Sequence, residues 1–403
     1  MVKERIKKLG GKVLKNIGIL EIHFHVKYLY SMMKITKTKN TNVTVFTTKD
    51  IFSRIETYID DKSQYEFILK EENESNNSYL KRVEKICNEK IDLLLVNTIQ
   101  MSLVTVLVNV PHYIKFNPKS KKILTVHLAN HWLKQRFGFN IKNILRSLDA
   151  ALSIFLIRRK IIPKYDGINV VYAPIKDFVE KNTSYNKPVY TLPFNFFDEK
   201  KYIKKPAKKD EKIRFVVPGF IEPFRRDFNL TLDTFEKLFE KYNDKISLWF
   251  LGEPIGQGGI RIIERCKTLK EKGYNILFSE TFIPEDKYNK ILIESDVIFS
   301  PLNVVTKRDT GIREIYGKTE GSALPFEAIQ YVKPIIVPVE FNVDKLITSS
   351  IRYKDKNDLE EKLIELITNK SRLKELSKNA LINSNKYSLN VLQKYFENNL
   401  LNI

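Results

Sequence analysis

Short apolar runs alternate with amphipathic stretches through the first half of the chain, at Ile17 to Ile22, Val43 to Thr48, Ile91 to Asn97, Lys122 to His127, Ile168 to Ala173 and Pro188 to Pro193. Continuous apolar runs separated by helical patterns predict parallel strands buried on both faces beneath covering helices. The pattern breaks at Lys201 to Lys212, a polar, lysine-rich stretch with one proline that reads as a linker. It resumes with strands expected at Ile213 to Pro218, Ile246 to Leu251, Asn275 to Phe278, Val297 to Ser300 and Pro334 to Val337, and helices at Leu230 to Tyr242 and Arg261 to Lys272. The last segments, Lys356 to Thr368, Lys370 to Asn385 and Leu389 to Leu400, are amphipathic helices. The expectation is an α/β chain of two doubly wound, Rossmann-like domains facing a central cleft: residues 1–200, a linker at 201–212, residues 213–385, and a C-terminal helix in 386–403 that crosses back to the first domain.

Composition narrows the class. The 403 residues exceed one compact core, and 43% hydrophobic with 29% charged residues is a globular balance. Cys87 and Cys266 match no metal or redox spacing and read as buried thiols of a reducing compartment. The basic start has no apolar core of the signal-peptide kind, and no run of roughly 18 uncharged apolar residues suits a membrane span, so a cytoplasmic protein, free or peripheral at the inner membrane face, is expected. The net charge of +21 favours anionic partners. Lysines are dispersed and no arginine-rich arm or aromatic RNA motif occurs, which argues against nucleic acid. The N-terminal lysines and the stretch Ile154 to Tyr165, where Phe155, Leu156 and Ile157 adjoin Arg158, Arg159 and Lys160, suit an anionic bilayer surface or a solvated surface beside core.

Candidate chemistry centres on Gly317 to Gln330, followed by the strand-like Pro334 to Pro338. A turn of small residues entering a helix offers unpaired N–H groups and a positive dipole end, where phosphate is held. Gly321, Ser322 and Ala323, with Lys318 beside them, are the phosphate candidates, and Glu320 and Glu327 are acceptors suited to sugar hydroxyls. Most turns of this type bind nothing. Arg225 and Arg226 stand ahead of a helix, where cations are slightly disfavoured unless they serve a ligand. His127 closes a predicted strand at the cleft. His23 and His25 form H-x-H, and His127 and His131 lie four apart; both spacings can hold zinc, but no cysteine adjoins them. Gly256 to Gly259 lacks a phosphate-loop lysine and reads as a flexible surface loop at the cleft rim.

These residues resemble the retaining glycosyltransferases of the two-Rossmann GT-B architecture, in particular those with a "glycosyl transferases group 1" C-terminal domain. The resemblance covers roughly Arg214 to Tyr395. Phe215 to Gly219 with Phe224 to Phe228 is similar to the family's opening strand, glycine and basic residue; Leu248 to Gly252 to its second strand and glycine; Ser295 to Pro301 to its "aD-v-x-x-x-P" strand; and Glu320 to Pro338 to its acidic turn, helix and strand. The resemblance implies a metal-independent transferase without cofactor that moves a hexose from a nucleotide-diphosphate sugar to a glycan or lipid-linked glycan, as in cell-surface polysaccharide synthesis. Glu327 is then the ribose ligand, Arg225 or Arg226 the diphosphate ligand at Gly219, and His127 the sugar-side residue. Catalytic weight falls on His127, Arg226 and Glu320. Two departures stand out: Phe220 replaces the usual basic residue after the glycine, and Glu320 and Glu327 have six residues between them where the family has seven. They leave open a non-catalytic subunit that binds a glycan or a partner protein; a nucleotide-sugar epimerase on the same architecture is a further alternative, ranked below it because epimerisation at carbon 2 calls for additional cleft acids that the sequence does not place.

Overall fold

A computed structural model of the protein describes residues 14–99, 110–134, 151–202, 212–307 and 312–401. Strands β1 (Lys15–Glu21), β2 (Thr41–Thr48), β3 (Tyr65–Lys70), β4 (Leu93–Val96), β5 (Lys121–Thr125), β6 (Gly167–Val170) and β7 (Val189–Thr191) form one sheet in the order β3-β2-β1-β4-β5-β6-β7. Every pairing in it is parallel, with Ile19 of β1 opposite Val45 of β2 and Leu95 of β4. Helices cover both faces, so Ile17, Ile19, Phe46 and Leu94 are fully buried, which is why these strands read as unbroken apolar runs.

The second sheet repeats the plan. Strands β8 (Ile213–Pro218), β9 (Ile246–Leu251), β10 (Ile276–Phe278), β11 (Val297–Phe299), β14 (Ile335–Pro338) and β15 (Ser350–Tyr353) lie in the order β10-β9-β8-β11-β14-β15, all parallel. Strands β12 (Val305–Lys307) and β13 (Arg313–Ile315) make a separate antiparallel pair. The chain reverses direction of winding between β1 and β4 and again between β8 and β11. Ligands in such sheets lie beyond the carboxyl ends of these strand pairs.

Three local features differ from the sequence expectation. Edge strands β3 and β15 and the β12–β13 pair were not expected. The glycines at 256–259 are not a loop: they form the first turn of the helix Gly256–Glu271. A Cβ on Gly259 would come 2.5 Å from the Ile221 carbonyl, so glycine there lets the helix start sit directly on the chain leaving β8. The helix Phe228–Tyr242 begins two residues before Leu230 because the Asp227 side chain accepts from the Leu230 N–H at 2.8 Å.

Most of the expected linker, residues 203–211, lies outside the described residues, as does nearly all of the basic N-terminal segment. The segments on either side of the sheets pair with each other: Phe197 N–H donates to Tyr387 O at 2.9 Å and Leu389 N–H to Phe197 O at 3.1 Å. The helix Leu389–Phe396 then packs on the helix Val26–Thr36, where Gln393 Nε2 donates to the Lys34 and Lys37 carbonyls, and Tyr395 OH accepts from Thr191 N–H. Among the described residues no helix is long and apolar enough to cross a membrane. In the stretch Ile154 to Tyr165, Ile157 and Ile161 face the core and Arg158 donates to the His131 and Trp132 carbonyls, whereas Phe155, Arg159, Lys160 and Pro163 stand outward, with Leu152 exposed just ahead of them.

Candidate active site between the two sheets

On the first sheet the carboxyl ends of β1, β4 and β5 bring together side chains distant in sequence. Glu21, the last residue of β1, is fully buried; it accepts from the N–H groups of His23 (2.8 Å) and Phe24 (3.3 Å) and from Thr98 Oγ1 (2.6 Å). The carboxylate thereby folds the loop that carries His23 and His25, and burial raises its pKa against those bonds. His25 stacks on His127 with ring centres 4.6 Å apart, and His127 stacks on Phe194 at 5.7 Å. The His25 stack is therefore with His127, across the sheet. His23 bonds the Tyr113 hydroxyl through Nε2 at 3.0 Å.

The His127 Nε2 atom lies 3.0 Å from the Asn97 carbonyl. A carbonyl only accepts, so Nε2 carries the proton and Nδ1 presents a lone pair, buried and without a partner among the described residues. Burial lowers the pKa of His127 to about 4 and that of His25 to about 3, the latter helped by its histidine neighbours. Neither is protonated at neutral pH. They offer hydrogen bonding and shape, not acid catalysis.

On the second sheet Gly219 follows β8 with φ of +90°, a conformation that side chains resist. A Cβ there would sit 2.8 Å from Arg226 Nη2, so the missing side chain makes room for the guanidinium, whose Nη1 donates to Phe220 O at 2.7 Å. Gly252 is needed for the same reason: its Cβ would strike the Gly219 carbonyl at 2.2 Å. The two neighbouring arginines separate here. Arg225 pairs with Glu222 at 2.9 Å and is half-exposed, whereas Arg226 lies near Glu327, with Nε buried and unpaired.

The helix Leu324–Tyr331 supplies Glu327 in its first turn. Phe326 fixes the helix by packing its ring on Tyr172 (5.9 Å) and Phe194 (5.8 Å) of the first sheet, a burial worth about 1.5–3 kcal/mol. Glu327 Oε1 accepts from Tyr288 OH at 2.5 Å. Burial raises the Glu327 pKa, opposed by Lys27, Tyr288 and Arg226. Lys27, from the first sheet's helix, pairs with Glu285 at 3.0 Å and lies 4.9 Å above the Tyr288 ring, so the two halves share this charge network.

The turn before that helix is more occupied than its sequence implies. The Leu324 N–H goes to Ser322 Oγ, Pro325 has none, and the Phe326 and Glu327 N–H groups bond Ala323 O. Among the described residues, the Ser322 and Ala323 N–H groups are left without an acceptor. Gly321 faces the first sheet, where an added Cβ would meet Val171 at 2.5 Å. Glu320 bridges to Leu128, the residue after His127, and Ala129 N–H donates to Thr319 O at 2.8 Å, so Glu320 and His127 become neighbours. The Glu320 carboxylate is buried and takes a 3.4 Å bond from Thr306 Oγ1. Lys318 is exposed in the tight turn that bonds Ile315 O. Glu21, Asn97, Lys27 and Tyr288 were not singled out from sequence; the strand-end position of the first two was the available signal.

Two all-parallel six- and seven-stranded sheets, each reversing at a switch point and facing each other across this seam, match solved structures along nearly the whole chain. The chain has the GT-B fold. The GT-B neighbours include Anabaena HepE in complex with UDP and glucose (12% identity, 96% of this chain and 100% of that one, TM-score 0.63). Others are the lipopolysaccharide outer core galactosyltransferase WaaB (11%, 96% and 100%, TM-score 0.55) and an S. aureus MnaA–UDP structure (13%, 97% and 98%, TM-score 0.55). No family model and no curated protein matches the sequence. At these identities GT-B describes the architecture, and the chemistry rests on this chain's own residues.

Proposed function

We propose that the protein is a glycosyltransferase that takes a sugar from a nucleotide-diphosphate donor. The observation that carries this reading is the convergence of Arg226, Glu327 and the open Ser322 and Ala323 N–H groups beyond the β8–β11 switch point, opposite the His25–His127 stack. A diphosphate gains negative charge as it leaves; a guanidinium held beside Gly219 and two N–H donors are suited to stabilising it. Glu327 has one oxygen fixed by Tyr288, leaving the other to accept from ribose hydroxyls. His127 Nδ1 can only accept while the imidazole is neutral, so its ligand is a hydroxyl of the transferred sugar. Glu320, beside it, is the second hydroxyl acceptor.

The neighbours bound to UDP support a nucleotide-sugar donor. Retention of configuration, transfer of a hexose without a metal, and an acceptor that is a glycan or lipid-linked glycan belong to the same reading. The outward Leu152 and Phe155, next to Arg159 and Lys160, favour an acceptor presented at an anionic membrane face. A thermal-shift panel of UDP-, GDP-, ADP-, CMP- and dTDP-sugars with chelator present tests the proposal. One nucleotide class should stabilise the fold as a ligand of the native state must. No stabilisation by any donor at millimolar concentration would refute donor binding and leave the non-catalytic subunit as the better description.

A further inference from the structure

A cavity of about 310 Å³ lies on the seam at a place the proposed reaction does not use. Helix Val26–Thr36, the loop after helix Lys49–Ile55, the segment following β7 and the two second-sheet helices Glu285–Glu294 and Leu324–Tyr331 wall it. None of His127, Arg226, Glu320 or Glu327 lines it, although Lys27 and Glu285 border it.

One wall is aromatic. The Tyr30 ring lies 5.6 Å from Tyr58 and 6.0 Å from Phe196, giving a row of ring faces and edges. Amide side chains line the cavity beside them. Asn195 Nδ2 donates to Gln330 Oε1 at 2.5 Å, and Tyr331 OH donates to Asn289 Oδ1. Both amide oxygens are engaged, so the hydrogen-bonding capacity that Gln330 and Asn289 have left lies chiefly in their NH₂ donors. The two lysines present are already paired, Lys201 with both oxygens of Asp60 at 2.7 Å and Lys27 with Glu285 at 3.0 Å. In a chain of net charge +21, this cavity offers no open cation and is a poor receptor for phosphate. Ring faces suit the C–H surface of a pyranose, and amide donors suit its hydroxyls. The volume falls at the small end of ligand sites, about 300–1,000 Å³.

We propose that this cavity binds a neutral disaccharide, independently of the nucleotide site. The inference goes beyond the transferase reading and survives without it, because its residues and probes differ.

Saturation-transfer difference NMR with maltose, cellobiose, lactose and diacetylchitobiose tests it on the full chain. At least one disaccharide should give signals with the wild type and with Arg226→Ala, whose change lies in the nucleotide site. Gln330→Ala should weaken that signal by about fivefold, the loss of one hydrogen bond of roughly 1 kcal/mol, and Tyr58→Ala should do the same with unfolding curves kept as a folding control. No signal from any disaccharide with the wild type overturns the proposal. So does a signal unaltered in both cavity variants, or one abolished by Arg226→Ala, which would place the sugar in the nucleotide cleft.

Discussion

Acidification should unload the His25–His127 stack before it unfolds the rest of the protein. The pKa values are held at about 3 for His25 and about 4 for His127, with burial the first cause in each. In the unfolded chain both protonate near pH 6.5. Between that value and about 4 the unfolded state binds more protons than the native one, so stability is full above the unfolded pKa and is lost as pH falls. Each histidine contributes a slope of up to about 1.4 kcal/mol per pH unit in this window. His25→Phe keeps a ring against His127 and removes one titration. The unfolding free energy of wild type minus that of His25→Phe, measured by urea denaturation between about pH 6 and 4, should therefore fall by about 1.4 kcal/mol per pH unit, reduced slightly by the partial exposure of the ring. Carboxylates common to both proteins cancel in the difference. Parallel curves across that range would refute the assignment of His25 as a neutral imidazole held by burial.

Three further outcomes follow from the site. Gly219→Ala should lower stability by about 1–2 kcal/mol for the positive φ and reduce affinity for the donor nucleotide by displacing Arg226, read by thermal unfolding and calorimetry. Tyr288→Phe frees the Glu327 carboxylate from its 2.5 Å bond and should weaken donor binding by about 1–3 kcal/mol with the fold intact; equal affinity would detach Tyr288 from the site. Glu21 has a raised pKa, so its ionised form costs stability as pH rises: Glu21→Gln should match or exceed wild type in melting temperature at neutral pH, while Glu21→Ala, orphaning three donors, should lose roughly 2–4 kcal/mol.

The inner strands were legible because burial on both faces writes them as unbroken apolar runs, as in β1 and β8, whose bounds the sequence marks to within two residues. Edge strand β3, with Glu66 and Lys70 in a half-exposed run, carries no such signature. The glycines at 256–259 misled because glycine usually marks loops, whereas here Gly259 serves a close helix–backbone contact visible only once Ile221 is placed. Glu327, His127 and the arginine pair were singled out by local pattern together with the family resemblance. That Arg226 is the arginine packed against Gly219 shows only in the structure, and the proximity of Glu320 to His127 depends on a bridge between residues 128 and 320 that no local pattern encodes.

Calorimetric titration of UDP, GDP, ADP, CMP and dTDP into wild type, and of the nucleotide that binds into Arg226→Ala and Glu327→Ala, each with EDTA present, addresses the central claim most directly. Saturable binding by the wild type, weakened about tenfold to a hundredfold in each variant, is the expected result, corresponding to the loss of a charged hydrogen-bond partner. Unchanged affinity in both variants, or no binding by the wild type to any nucleotide, would contradict the placement of the donor between Arg226 and Glu327.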